Sequence, residues 1–285
     1  MSAMSDGVRS RFVVVDQIRT HYLEAGDGLP LVLLHSGEYG ASAELSWEHT
    51  IDVLAERFHV IAPDWLGFGR SAKVYDFESG SERRVQHLRR VLETLDVGPA
   101  FFIGSSMGGS VLSRQVARTP PGFVARAMIL SAGGGFVPNN AARQEIVDYD
   151  CTLEGMRRII RVLFHDQAWA EDDGYVQRRY ETALIAGAWE ATAAARFRSP
   201  SSPPRTAEGQ PDKTPYEDID CPTLVVAGAA DKLREPGYAD AIAARIPKSE
   251  LRVYDECGHL PHIERAAQFS QDALAFLSKC AAETR

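Results

Sequence analysis

The hexapeptide Gly104-Ser105-Ser106-Met107-Gly108-Gly109 constrains this chain more than any other stretch. It follows the strand-like run Phe101-Phe102-Ile103 and precedes Val111–Ala117, a run compatible with a helix. A strand that turns into a helix within so few residues forces unusual φ/ψ angles at the centre of the turn. Glycines two before and two after Ser106 remove the Cβ atoms that would clash there. The Ser106 hydroxyl is thereby held clear of a sheet, at the N-terminus of a helix whose amides favour a developing anion. The pattern predicts a serine nucleophile.

Around this turn, apolar runs of strand length recur at Phe12–Val15, Leu31–Leu34, Val60–Ala62, Phe101–Ile103, Ala127–Leu130, Leu224–Ala227 and Leu251–Tyr254. Several are continuous rather than alternating, as strands covered on both faces require. Between them, Arg84–Leu95 places Val85, Leu88, Val91, Leu92 and Leu95 at helical spacing, and Gln268–Leu277 does the same with Phe269, Leu274 and Leu277. Strands alternating with helices predict an α/β fold with a mostly parallel sheet flanked by helices.

The alternation lapses between residues 137 and 215. Leu153, Met156, Ile159, Ile160 and Leu163 make one amphipathic helix, with Thr152 as its N-cap. A second helix starts at Asp172 or Asp173 and carries Val176, Tyr180, Leu184 and Trp189, the last two facing inward. From Ser199 to Pro215 five prolines mark a linker. The expected organisation is a core in two parts, residues 1–136 and 216–285, interrupted by an inserted helical lid and linker over residues 137–215, above the sheet edge where α/β folds bind ligands.

Composition narrows the partners. With 31 Lys and Arg against 39 Asp and Glu, the net charge of −8 argues against nucleic acid and against an anionic membrane surface. No apolar run approaches the ~20 residues needed to span a bilayer. The stretch Met1–Gly7 has no apolar centre of a secretion signal. Cys151, Cys221, Cys257 and Cys280 are too scattered for a disulfide framework or a metal site. A cytoplasmic protein with free thiols, acting on a small molecule, is expected; self-association is left open.

A serine hydroxyl is a weak nucleophile and needs a base, itself oriented by a carboxylate. Two later strands end in such groups: Thr223–Gly228 runs into Asp231, and Leu251–Tyr254 runs into Asp255-Glu256-Cys257-Gly258-His259. Ser106, Asp231 and His259 each follow a strand, so all three collect at one sheet edge. Their order is that of the α/β-hydrolase fold. In that fold one oxyanion-hole amide comes from the loop after an early strand and the other from the residue after the nucleophile. These are Gly37, in His35-Ser36-Gly37-Glu38-Tyr39-Gly40, and Met107. His35 is expected to brace that loop, and Asp64–Ser71 to be architectural. The triad supplies both nucleophile and acid–base chemistry, so neither metal nor cofactor is implied.

At these residues the sequence resembles the meta-cleavage product hydrolases, the carbon–carbon bond hydrolases of aromatic-ring catabolism. The elbow resembles their Gly-Asn-Ser-Met-Gly-Gly, Cys257-Gly258-His259 matches their Cys-Gly-His, and Leu130-Ser131-Ala132-Gly133-Gly134 resembles the turn leading into their lid. Val176-Gln177-Arg178-Arg179-Tyr180-Glu181 resembles a lid segment whose arginine binds the dienoate end of the substrate; by that alignment it is Arg179. The resemblance implies ketonisation of a dienol, with His259 moving the proton, and then attack by Ser106 on the ketone of a vinylogous 1,5-diketone. Ser105 stands where the family usually has Asn, and Leu260 where it usually has Trp. Both positions, with Ser36, are expected at the substrate. Glu38 and Tyr39 replace the usual Gly-Pro, Glu38 being expected as a solvated carboxylate. A carboxylesterase or cofactor-free perhydrolase would use the same triad, and a ligand-sensing receptor would keep it intact with slow turnover.

Overall fold

Continuous apolar strands are stable here because alternate residues enter two different cores. The computed structural model describes residues 5–77, 82–194 and 211–283. Among these, one sheet contains β1 (Arg9–Val15), β2 (Ile18–Ala25), β3 (Leu29–Leu34), β4 (Phe58–Pro63), β5 (Ala100–Ser105), β6 (Ala125–Ser131), β7 (Thr223–Gly228) and β8 (Ser249–Tyr254). Their order across the sheet is β1-β2-β4-β3-β5-β6-β7-β8. The first two strands pair antiparallel, β2 pairs antiparallel with β4, and the remaining pairs are parallel.

The sheet is flanked by α1 (Ala43–Trp47), α2 (Ile51–Ala55), α3 (Glu82–Thr94) and α4 (Met107–Val116). Between β6 and β7 the described chain is helical, with α5 (Ala141–Val147), α6 (Leu153–Leu163), α7 (Ala168–Glu171), α8 (Asp173–Ala183) and α9 (Ala188–Ala193). Three more helices follow β7: α10 (Tyr238–Ala243), α11 (Pro261–Glu264) and α12 (Ala266–Glu283). Leu31, Leu33 and Ile103 pack on Trp47, Phe269 and Leu277 on one face of the sheet. Val32, Leu34 and Phe102 pack on Val85, Leu88 and Leu112 on the other. The insertion has its own core of Met156, Ile159, Ile160 and Val176, which reaches Tyr39 and Leu260.

The insertion differs from the sequence expectation in one respect. Thr152 caps α6 by accepting from the Gly155 amide at 2.9 Å, and Asp172 caps α8 by accepting from Tyr175 at 3.1 Å. The helix from Asp173 nevertheless ends at Ala183, because Gly187 adopts φ 81° and starts α9 on a new axis. Leu184 is therefore 46% exposed rather than inward, whereas Trp189 does turn inward and stacks on Tyr39 at 6.3 Å. Of the proline-rich stretch, residues 199–210 lie outside the described residues.

Strand β2, absent from the apolar runs, is buried through polar pairs. Thr20 Oγ1 is hydrogen-bonded to His87 Nε2 at 2.6 Å, and His21 Nδ1 to Asp64 Oδ2 at 2.7 Å. Asp64 also accepts from the amides of Ala43 and Arg70 at 2.7 and 2.8 Å, which fixes the turn after β4.

His262 is a different buried histidine. It lies between Trp47 and Phe269, at ring distances of 4.6 and 6.0 Å, with no partner for either ring nitrogen among the described residues. Burial pushes its pKa down to about 3, from an ordinary value of 6.5. Between those values the unfolded chain binds a proton that the folded chain refuses. This contribution therefore falls as pH drops below the ordinary value, with a limiting slope of about 1.4 kcal/mol per pH unit. His262→Phe should flatten that part of a melting temperature against pH curve; an unchanged slope would show that other groups control acid stability.

Candidate active site

Strand β5 reaches α4 through a single residue in the left-handed region. Ser106 has φ 48° and ψ −108°, a conformation that costs an L-residue about 1–3 kcal/mol. A Cβ on Gly104 would lie 2.7 Å from Gly109 Cα, and one on Gly108 would lie 2.2 Å from the Leu34 carbonyl oxygen. Only glycines permit β5, α4 and β3 to approach so closely. The turn is held further by Ser110, which donates to the Ser106 carbonyl and accepts from the Gly134 amide, both at 2.9 Å.

The Ser106 hydroxyl lies 2.7 Å from His259 Nε2 and donates to it, while His259 Nδ1–H donates to Asp231 Oδ2 at 2.7 Å. The second Asp231 oxygen accepts from the Leu233 amide at 2.8 Å. Burial works against charge on Asp231, but His259 and the Leu233 amide more than offset it and hold the carboxyl below its ordinary pKa. The backbone also fixes His259: its N–H donates to the Leu163 carbonyl, at the end of α6, at 2.7 Å. A serine bonded to an imidazole that a buried carboxylate orients is the arrangement that makes a hydroxyl nucleophilic.

Met107 is the first residue of α4, so its amide has no acceptor inside the helix. The Gly37 backbone lies against the Met107 side chain, where an added Cβ would come within 2.6 Å of Sδ. His35 Nε2 accepts from the Trp65 amide at 3.1 Å, which leaves Nδ1–H to donate to the Ser36 carbonyl at 2.6 Å; the Trp65 indole donates back to the His35 carbonyl at 3.0 Å. These bonds brace the loop that presents Gly37.

Ser106, Met107, Gly37 and His259 border a cavity of about 230 Å³. Ile146, Leu163 and Leu233 supply apolar wall. Four charged residues also border it: Glu38, Arg114, Arg143 and Arg234.

The four residues expected to touch substrate are placed differently. Ser36, Ser105, Arg179 and Leu260 are all fully or almost fully buried, and none borders the cavity. Ser36 Oγ donates to Glu38 Oε1 at 2.9 Å. Ser105 ends β5 with no hydrogen-bond partner for its hydroxyl among the described residues, and Leu260 joins the core of the insertion. Arg179, 1% exposed, donates to Glu38 Oε1 at 2.7 Å and to Tyr175 Oη at 3.2 Å. The expectation of a solvated Glu38 is also corrected: the side chain is 6% exposed, and the Arg179 charge and hydrogen bond hold its carboxyl below the ordinary pKa against the effect of burial. Arg178 points the other way and forks onto Glu48 at 2.6 and 2.8 Å.

Sequence reasoning missed Arg143 and Arg234. The first sits on α5, a seven-residue helix with a single buried apolar side chain, Ile146, and so with no periodic signal. The second follows Asp231 by three residues, a spacing that was itself the available signal. Among the described residues, no three His, Cys, Asp or Glu side chains converge as a metal site.

Residues 31–272 match the model of the alpha/beta hydrolase family. The 2-hydroxy-6-oxo-6-(2'-aminophenyl)hexa-2,4-dienoic acid hydrolase of Metapseudomonas resinovorans is 33% identical, over 96% of this chain and 93% of that protein. The 2-hydroxymuconate semialdehyde hydrolase of Pseudomonas sp. (strain CF600) is 29% identical over 94% of each. Among solved structures, a serine hydrolase involved in carbazole degradation superposes with a TM-score of 0.77 and 31% identity, over 95% of this chain and 99% of that one. With the family model matching most of its length and a 33% identical relative matched nearly end to end, the chain belongs to the α/β-hydrolase family and, within it, to the meta-cleavage product hydrolases.

Proposed function

We propose that this protein hydrolyses the carbon–carbon bond beside a ketone in a small 2-hydroxy-6-oxo-2,4-dienoate-like molecule, with Ser106 as nucleophile, His259 as acid and base, and Asp231 as the orienting carboxylate. The observation that carries it is the chain of two 2.7 Å hydrogen bonds from Ser106 through His259 to Asp231, opening into a cavity of about 230 Å³. When the dienol of such a molecule shifts to its 2-oxo form, the 2- and 6-oxo groups become a vinylogous 1,5-diketone. The carbon that must leave then carries its electrons onto a conjugated carbonyl.

His259 Nε2 takes the Ser106 proton as Oγ attacks the 6-oxo carbon. The amides of Gly37 and Met107 hold the resulting oxyanion, each worth ~3 kcal/mol in comparable sites. Collapse breaks the carbon–carbon bond, the departing fragment takes the proton from His259, and an acyl-Ser106 remains. Water, deprotonated by His259, then adds to the acyl carbon and frees the acid and the serine. The helical insertion covers the site, and its Leu163 carbonyl positions the His259 backbone.

Ser106→Ala should leave the protein folded and lower kcat by several orders of magnitude, since triad members act as a unit. Loss of the dienoate's visible absorbance, followed beside release from aryl esters, measures this. Retention of a tenth of the rate, ~1.4 kcal/mol of barrier, would remove Ser106 from the chemistry. Dienoate left unchanged beside rapid ester turnover would make the protein an esterase.

The Glu38–Arg179 pair yields a separate expectation. Arg179→Met strands a buried carboxylate and should cost about 3–5 kcal/mol of stability. Adding Glu38→Gln removes that charge and should recover most of the loss. Chemical denaturation of the wild type, both single variants and the double variant gives the coupling; strict additivity would mean the pair contributes no interaction of its own.

A further inference from the structure

The charges around the cavity are separated across the sheet. β3 and β7 lie on opposite sides of β5 in the strand order. Glu38, in the loop after β3, therefore borders the cavity on one side of Ser106, and Arg234, in the loop after β7, borders it on the other. Arg179 sits behind Glu38, with its charge already matched by that carboxylate at 2.7 Å. A substrate carboxylate approaching the β3 side would meet Glu38 first.

The β7 side is the reverse. Arg234 is 7% exposed; its terminal nitrogens donate to the carbonyls of Ala132 at 2.6 Å and Phe136 at 3.3 Å. Its buried Nε has no hydrogen-bond partner among the described residues, and the Tyr238 ring lies 5.3 Å from the guanidinium. Carbonyls fix the guanidinium in place without cancelling its charge. Asp231 feels the Arg234 charge but makes no hydrogen bond or ion pair with it among the described residues; its oxygens accept from His259 and the Leu233 amide instead. Arg143 donates to the carbonyls of Pro138 and of Leu233, next to Arg234, and Arg114 also borders the cavity.

We propose that Arg234, flanked by Arg143 and Arg114, forms an anion subsite that holds a carboxylate of the substrate on the β7 side of Ser106. The family resemblance places that carboxylate at the lid arginine; in this chain Glu38 occupies the lid arginine, and the positive charge at the cavity has moved across the nucleophile. The inference rests on the reading of Ser106 as the nucleophile. Its substrate class is a compact acid whose carboxylate lies beyond the carbonyl that Ser106 attacks.

The test compares 4-carboxyphenyl acetate with phenyl acetate, so that the added carboxylate sits on the leaving-group side of the attacked carbonyl, as it does in the dienoate. Wild type should prefer the anionic ester by kcat/KM, mainly through KM. Arg234→Met should cut that preference roughly 10- to 100-fold, the size expected for losing a hydrogen bond to a charged group. Arg234→Lys, which keeps the charge, should restore part of it and rules out simple misfolding. A preference unmoved by Arg234→Met, or a wild type that favours the neutral ester, would overturn the subsite. Titration calorimetry of 4-carboxyphenyl acetate into the Ser106→Ala protein, with and without Arg234→Met, gives the same comparison without turnover; binding indifferent to Arg234 would also overturn it. The two readings fail separately. An Arg234-dependent preference with inert dienoates leaves the subsite and removes the carbon–carbon reaction, whereas turnover of a dienoate with no role for Arg234 does the opposite.

Discussion

Everything at the site depends on how closely β5, α4 and β3 can pack where they meet. Gly104 faces the backbone of Gly109, and Gly108 faces the Leu34 carbonyl, at separations that exclude any side chain. That contact fixes the left-handed Ser106, and Ser106 in turn fixes where the imidazole must stand and where the first amides of α4 point. The strain is local, about 1–3 kcal/mol, and it is over-determined by the two sheet cores on either side. Loosening the packing by one methyl group would move the nucleophile before it unfolded the protein.

The buried Glu38–Arg179 pair is the second organising element. It ties the loop after β3, which carries Gly37, to α8 of the insertion. A buried ion pair contributes little net stability compared with apolar packing, but losing one partner is costly. Its consequence here is positional: the insertion and the oxyanion loop are held in one register by a contact that no apolar pair would specify by direction. The pair also sets the sign of charge on one wall of the cavity.

Much of this could be read from the residues. Continuous apolar strands, a glycine-flanked serine between strand and helix, and acids and bases at strand ends are local patterns with local causes. They placed the sheet, and the structure brings Ser106, Asp231 and His259 within hydrogen-bonding distance. What escaped was non-local. Strand β2 is polar in composition and buried only because Thr20 and His21 find His87 and Asp64, residues more than forty positions away. Glu38 looks like a surface carboxylate until α8 folds over it. Helical spacing does put Arg179 on the inner face of α8, but spacing alone cannot say that another charge of the same chain waits there. Gly187, which ends the helix line before Trp189, was visible as a glycine and was outweighed by the periodicity on either side.

The hydrogen bond from the His259 amide to the Leu163 carbonyl bears on how such proteins diversify. Covers over a common core invite replacement as cassettes, with new specificity imported whole from another lineage. In this chain the first long helix of the cover is fastened to the backbone of the imidazole, and Gly258 leaves no room for a Cβ beside the same carbonyl. A crossover point before α6 would exchange the carbonyl that anchors the His259 backbone together with the cover. Recombination that preserves the chemistry must therefore carry α6 with the core, and α8 as well, because its Arg179 is paired with Glu38 of the oxyanion loop.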